Sequence, residues 1–163
     1  MARILLIILK LAMPTLQIKT QINADIQTCF DLARNIDFHK LSMTDSNEKA
    51  VAGKTSGLIN IGEWVTWEAT HFGVKQQLTS KITEFENPNR FVDEQVKGAL
   101  KSFRHEHIFI SEEKEKTLMI DIFDFKSPFG IFGKVANQLF LKRYMTNLLN
   151  ERNAILKQEA EAI

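Results

Sequence analysis

The sequence has 163 residues, 44% hydrophobic and 25% charged, which fits one globular domain and leaves no room for a second. Its 21 basic and 20 acidic residues give a net charge of +1, without the basic excess of nucleic-acid-binding domains, so we expect no nucleic-acid partner. The single cysteine, Cys29, excludes an internal disulfide and favours a reducing, cytoplasmic location.

An apolar run at residues 4–9 lies between Arg3 and Lys10. The run is too short for a spanning helix, which needs about 20 apolar residues, and no signal-peptide cleavage site follows it. We therefore predict that residues 1–12 are an extension or reflect an upstream start, with an added strand or a weak membrane-surface anchor as alternatives. Residues 13–160 are predicted to form a single domain without stable membrane insertion.

The first predicted elements are a strand and two short helices. Apolar and polar residues alternate over 16–22, which predicts a half-buried strand. Apolar residues then recur at helical spacing over 26–33, and Asp25 suits the N-cap of that helix. A second helix is predicted over 37–43, followed by a polar loop that contains three glycines.

From residue 63 the period-two alternation returns in five segments separated by short turns. Short connections favour antiparallel neighbours, so the segments predict one curved antiparallel sheet. The predicted strands are 63–72, 74–85, 91–97, 101–110 and 117–126.

A long helix is predicted from residue 132 to about 160, after a break at Ser127, Pro128 and Gly130. Its last turns are rich in Glu, Lys and Ala and are predicted to be solvated. The apolar positions that define it are Val135, Leu139, Leu148, Leu149 and Ile155. The element order predicts an α+β fold in which six to seven strands wrap around this helix.

Polar side chains lie among large apolar residues on two of the predicted strands. With a turn centred near Glu113, His105 would lie opposite Asp121 and His107 opposite Met119, all on one face. A one-residue slip would instead expose the histidines. An unpaired buried polar group costs roughly 1–3 kcal/mol, so these groups must bond to each other, to water or to a ligand.

This pattern predicts a cavity between the sheet and the long helix. A cavity with aromatic walls and a few polar groups suits a mostly apolar ligand with one polar end. The residues predicted to contact the ligand are Trp67, His71, Phe91, Asp93, Gln95, Phe103, His107, Met119 and Phe123.

Three chemical interpretations of the polar residues are open. A His105 and Asp121 pair suits acid and base catalysis, because the carboxylate fixes the imidazole tautomer and raises its pKa. His105 and His107, with Asp93 or Asp121, also suit zinc or iron. No cysteine pair or HExxH helix accompanies them, so no metal and no cofactor is predicted. The third interpretation is that the groups only satisfy one another beneath an unreactive pocket.

The cavity residues fall in a spaced motif. It runs Phe91-x-Asp93-x-Gln95-x-x-Gly98, Phe103-x-His105-x-His107-x-Phe109, Thr117-x-Met119-x-Asp121 and Ser127-Pro128-x-Gly130. From residue 14 to 157 the chain resembles the ligand-binding, polyketide-cyclase-like bacterial branch of the START and pollen-allergen superfamily, SRPBCC. The resemblance implies a helix-grip fold with an internal apolar cavity. Phe103 and Ala99 stand where this branch often has Trp and Pro.

The sequence leaves two main functional hypotheses. The first is an intracellular binding protein for a hydrophobic small molecule that is lipid-, isoprenoid- or polyketide-like. The second is a cyclase or dehydratase in which His105, oriented by Asp121, acts as general base. A third and less favoured class is a module whose outer surface binds a protein. Whether the chain is a monomer or a homodimer is left open.

Overall fold

The computed structural model describes residues 15–43, 47–71, 73–127 and 134–163. The predicted extension at 1–12, the predicted domain start at residue 13 and the break at 128–130 lie outside the described residues. In the described part, the elements are β1 (Thr15–Ile22), α1 (Ile26–Ala33), α2 (Ile36–Ser42), β2 (Lys49–Gly53), β3 (Trp64–His71), β4 (Val74–Glu86), β5 (Arg90–Lys97), β6 (Ser102–Glu113), β7 (Lys116–Lys126) and α3 (Lys134–Ala160).

The described strands form one seven-stranded sheet in the order β1-β7-β6-β5-β4-β3-β2, and all neighbours are antiparallel. Consecutive strands from β2 to β7 are neighbours, as short connections require. The pairing of β1 with β7 brings the start of the described chain beside the last strand. The predicted α+β helix-grip architecture is confirmed.

Both short helices begin at side-chain caps. The Oδ1 atom of Asp25 accepts hydrogen bonds from the backbone N–H groups of Gln27 (2.9 Å) and Thr28 (3.0 Å), which confirms the predicted N-cap of α1. Asn35 caps α2 in the same way, so that helix begins one residue earlier than predicted. Buried residues of α1, including Phe30, face the sheet.

Strand β2 lies in the segment that was predicted to be a loop. It has only five residues, and an irregularity between Ala50 and Ala52 interrupts its pairing with β3, so the period-two signal is weak. Gly53 ends the strand at φ +74°, and a Cβ there would lie 2.3 Å from the carbonyl oxygen of Trp64. Only glycine therefore fits where β2 meets β3.

The register of β6 and β7 differs by two residues from the prediction. His105 lies opposite Phe123 and His107 opposite Asp121, so the predicted cross-strand positions of the two histidines are wrong. The side chains of His105 and Asp121 nevertheless contact each other, as predicted. The turn is centred near residue 114, one residue later than expected, because Ser111 lies opposite Thr117. A shift of two residues keeps every side chain on the same face, so the predicted face is correct.

The buried stripe of the long helix matches the predicted apolar positions only in part. Leu149 is buried and Leu148 lines the cavity, whereas the side chain of Val135 lies outside the described residues. Leu139 and Ile155 are 66% and 37% exposed, so they do not form its buried face. The last turns are not wholly solvated as predicted, because they pack against β1 and α1. The buried stripe consists of Leu149, Arg152, Asn153, Leu156 and Ala160. Within the described residues, no helix has the length and apolar character needed to cross a membrane.

Candidate functional site

A cavity of about 460 Å³ lies between the concave face of the sheet and the helices. Its walls come from β3, β4, β5 and β6, from one residue of β7, from all three helices and from the segments that connect them. Alternation on β3 turns Trp67 and Ala69 inward and leaves Trp64 exposed, as predicted. The predicted residues that line the cavity are Trp67, His71, Phe91, Asp93, Gln95, Phe103, His105, His107 and Phe123.

Two of the predicted site residues lie away from the cavity wall. Met119 is fully buried in a core cluster with Phe30 and Phe109, because its part of β7 lies beneath α1. Its predicted role in ligand contact is therefore corrected to a role in the core. Asp121 is 1% exposed and lies behind the two histidines, where it can orient them but cannot itself line the cavity.

The two histidines lie between two carboxylates. The Oδ1 atom of Asp121 is 2.9 Å from Nε2 of His105 and 2.8 Å from Nδ1 of His107. On the other side, Oδ1 of Asp93 is 3.2 Å from Nε2 of His107 and 3.9 Å from Nδ1 of His105. Each imidazole therefore directs one nitrogen toward Asp121 and the other toward Asp93.

Contacts in this cluster differ in quality. The contact between His105 and Asp121 has hydrogen-bond geometry. The contact between Nδ1 of His107 and Oδ1 of Asp121 does not, because a hydrogen on Nδ1 would not point toward that oxygen. Asn153 of α3 donates from Nδ2 to Oδ2 of Asp121 at 2.6 Å, so the helix holds the second carboxylate oxygen. The Asp121 side chain is thereby fixed from both the sheet and the helix.

The proton distribution follows from burial and from these contacts. Burial and the neighbouring His107 lower the pKa of His105, so His105 is neutral near pH 7; the expected upward shift is not found. Burial also acts against the charged form of His107, but its contacts with Asp121 and Asp93 outweigh this and raise its pKa. Burial opposes ionisation of Asp121, yet its close contacts with both histidines hold its pKa well below the usual range.

The sequence analysis did not predict that Arg152, which is buried, belongs to the site. It lines the cavity, is 5% exposed and donates from Nη2 to the carbonyl oxygen of Ala33 at 3.0 Å. Its Nε atom has no hydrogen-bond partner among the described residues. The spacing of Leu149, Arg152, Asn153 and Leu156 is that of one helical face, and this pattern was the available signal.

Other polar groups line the cavity near its edges. The imidazole of His39 stacks on Trp67 at 4.2 Å and lies 2.8 Å from the Glu48 carboxylate. Nδ1 of His71 lies 2.6 Å from the hydroxyl of Tyr144, which links β3 to α3. His39, Glu48 and Tyr144 carry no strong motif, and only the tertiary structure brings them to the cavity.

Gln95 has one satisfied and one free polar atom. Its Nε2 donates to the carbonyl oxygen of Leu100 at 2.7 Å, which fixes the orientation of the amide. Its Oε1 is buried and has no partner among the described residues. A ligand donor in the cavity could satisfy this oxygen.

Comparisons with known proteins give matches through structure alone. No family sequence model matches the chain, and no curated protein matches it significantly. A START superfamily protein from Mycobacterium smegmatis matches with a TM-score of 0.71 and 9% identity, covering 91% of this chain and 97% of its own. Major latex-like protein 151 from Panax ginseng matches with a TM-score of 0.65 and 15% identity, covering 90% and 97%. A protein from Thermus thermophilus matches with a TM-score of 0.68 and 18% identity, covering 88% and 97%.

At these identities the likeness concerns the fold. The chain has a helix-grip fold, with a curved antiparallel sheet that encloses a cavity against a long helix. More particularly, this is the fold of the START superfamily protein and the major latex-like protein to which the chain is similar, so the predicted helix-grip fold is confirmed.

Proposed function

We propose that the chain is an intracellular binding protein for a hydrophobic small molecule that is lipid-, isoprenoid- or polyketide-like. The observation that carries this proposal is the cavity of about 460 Å³ with aromatic and aliphatic walls and few polar groups. A site of this size and lining accommodates a small apolar ligand with one polar end.

The apolar walls supply the main attraction. Burying about 300 Å² of ligand apolar surface at ~25 cal/mol per Å² contributes roughly 7–8 kcal/mol before the cost of association. Micromolar affinity is therefore the upper limit expected without strong polar contacts. Trp67, Phe91, Phe103 and Phe123 provide the aromatic part of this surface.

The polar end of the ligand is proposed to lie toward the unsatisfied groups on the cavity wall. Gln95 offers a buried acceptor and Arg152 a buried donor, and neither atom has a partner among the described residues. An unsatisfied buried polar atom costs about 1–3 kcal/mol, which a ligand hydroxyl or carbonyl would relieve. A ligand with both a donor and an acceptor at one end therefore fits best.

Native mass spectrometry of protein purified gently from its own host tests this proposal. We expect a reproducible apolar adduct in the wild type that is reduced by Trp67→Ala and retained by Trp64→Ala, since Trp64 lies on the outer face of the same strand. An empty wild-type protein that also fails to bind apolar probes such as fatty acids or polyprenols would contradict it.

A second candidate function is that of a cyclase or dehydratase. The observation that favours it is the neutral His105, hydrogen-bonded to Asp121 through Nε2, with Nδ1 on the Asp93 side. Such a group suits a general base that removes an acidic proton from a polycarbonyl substrate.

The His105→Ala variant distinguishes the two proposed functions. Catalysis predicts that His105→Ala abolishes turnover of a polyketide-like substrate and leaves its binding largely intact. Simple binding predicts a change of affinity of about 1–2 kcal/mol and no turnover in the wild type. The measurement is product formation and equilibrium binding with the same substrate.

A further inference from the structure

We propose that Asp93, His105 and His107 form a binding site for a divalent transition-metal ion of the zinc or ferrous type at the polar end of the cavity. This goes beyond the proposed function and does not depend on which apolar ligand occupies the cavity. The histidine spacing alone was too weak a signal to predict a metal, because it does not establish how these side chains face one another.

The potential metal-ligating atoms of these three residues lie close together. One donor atom from each of the three residues lies within 4.8 Å of the other two, and no other such group of three occurs in the part of the chain that the structure describes. His105 and His107 share a face of β6, and Asp93 lies opposite His105 on β5. Donors about 2 Å from a tetrahedral ion lie roughly 3.4 Å apart, so only small rotamer changes are needed.

The second carboxylate provides the support that metal-binding histidines require. A ligating histidine usually donates its other ring N–H to a carboxylate, which fixes the tautomer. Asp121 stands in that position for His105, with hydrogen-bond geometry at 2.9 Å from Nε2. It also lies 2.8 Å from Nδ1 of His107, although that contact is not aligned as a hydrogen bond. Asn153 holds Asp121 in turn. Nδ1 of His105 and Nε2 of His107 lie on the opposite side, toward Asp93. An ion bound there would replace the present hydrogen bond between Nε2 of His107 and Asp93.

The placement relative to the cavity indicates an open site. Asp93, His105 and His107 line the cavity, whereas Asp121 does not. Two histidines and one carboxylate on one side of an ion leave its remaining positions free, as in sites that bind water or substrate. An ion held here would direct those positions into the cavity, where the polar end of a ligand can reach it.

The local charges are compatible with a divalent ion. With neutral imidazoles, the two carboxylates Asp93 and Asp121 and the guanidinium of Arg152 leave one negative charge. A divalent ion reverses this to one positive charge, so an anionic oxygen on the ligand would complete the site. Arg152 prevents a larger negative charge from accumulating in this buried region.

The first test is a titration of tag-free, chelator-treated wild-type protein with Co²⁺ and Zn²⁺. We expect one ion per chain and visible absorption bands of low-coordinate Co²⁺ that Zn²⁺ displaces. Absence of saturable binding at one ion per chain would overturn the proposal.

Substitutions then test which residues bind the ion. Asp93→Asn and His107→Gln should abolish saturable Co²⁺ binding, and Asp121→Asn should weaken it about 10–100-fold. His39→Gln is the matched control, because His39 also pairs with a carboxylate but lies outside the cluster, and it should bind Co²⁺ like the wild type. Binding that survives in the cluster variants and is lost in His39→Gln would overturn the assignment.

A measurement on the wild type covers the case in which a variant does not fold. Long-range ¹H–¹⁵N spectra report each imidazole nitrogen separately during Zn²⁺ addition. Shifts at His105 and His107 support the proposal, whereas shifts confined to His39 or His71 overturn it.

Discussion

At the scale of single residues, the decisive feature is a buried carboxylate, that of Asp121, which has three polar side chains in contact with it. Asp121 contacts two imidazoles on the sheet side and the amide of Asn153 on the helix side. A buried charge is tolerated only when such partners are in place. The Asn153 contact therefore joins α3 to the polar end of the cavity.

Removing the amide should destabilise the protein. Asn153→Ala leaves Oδ2 of Asp121 without its donor, and we expect the free energy of unfolding to fall by about 1–3 kcal/mol. Urea denaturation measures this, with the exposed Asn150→Ala as the control. Equal stability of the two variants would show that Asp121 does not depend on the helix.

The Cys29 thiol should be unreactive in the folded protein. Burial raises its pKa, so at pH 8 it stays protonated as well as enclosed in the core. We expect slow reaction with a disulfide reagent in the native state and rapid reaction in denaturant. Rapid labelling of the native protein would place Cys29 at the surface and contradict the core assignment.

At the scale of elements, α3 and the outer face of the sheet both show contacts that the hydrophobicity pattern of the sequence does not predict. The helix has large apolar residues on more than one side, but its buried stripe includes two polar residues, Arg152 and Asn153. On the outer face, Arg90 and Arg104 share the carboxylate of Glu106 across β5 and β6. Neither arrangement follows from hydrophobicity alone.

The last turns of α3 should contribute strongly to stability. Leu156 is fully buried in the core, so Leu156→Ala should lower the free energy of unfolding by about 2–5 kcal/mol. Its neighbour Ile155 is 37% exposed, and Ile155→Ala should cost far less. Thermal or urea denaturation of the two variants distinguishes a packed from a frayed helix end.

The outer ion network should give a defined pH dependence. Burial opposes ionisation of Glu106, but Arg104 and Arg90 outweigh this and hold its pKa below the ordinary 4.5. A lowered pKa in the folded state stabilises above the unfolded pKa, and that contribution is lost as the pH falls through the folded pKa. Glu106→Gln should therefore cost about 0.5–1 kcal/mol at pH 7, a difference that shrinks below about pH 4.5. Glu115→Gln, in the exposed turn, is the control for urea denaturation across pH.

At the scale of the whole molecule, the sheet and α3 enclose a volume that the core does not fill. Interiors are normally packed to crystal-like density, so a cavity of about 460 Å³ represents apolar contacts that the side chains of this protein do not make with one another. The proposed function follows from this enclosure and cannot be reduced to any one element.

Filling the cavity should block binding without unfolding the protein. Ala69 lies on the cavity wall, so Ala69→Trp should abolish binding of an apolar fluorescent probe and the rise in Tm that the probe causes in the wild type. Thr70→Trp places the same ring on the outer face and should bind normally. Normal binding by Ala69→Trp would move the ligand elsewhere and favour a function of the outer surface.

The sequence by itself determined the order of the elements other than β2, the inward faces of β3, β5, β6 and β7, and most of the cavity wall. These properties depend on local periodicity, which a single chain displays directly. Asp93, Gln95, His105 and His107 were therefore assigned to the cavity before their partners were known. Strand β2 was not predicted, because it has only five residues and an irregular pairing, which give too little period-two alternation to recognise.

Only the tertiary structure decided which side chains meet. The register of β6 and β7 depends on where the hairpin turns, and a shift of two residues leaves every apolar pattern unchanged. The rotation of α3 decided that Arg152 and Asn153 face the site and that Leu139 does not. Contacts of this kind join residues far apart in the chain, so their geometry is set by packing and has no counterpart in local sequence.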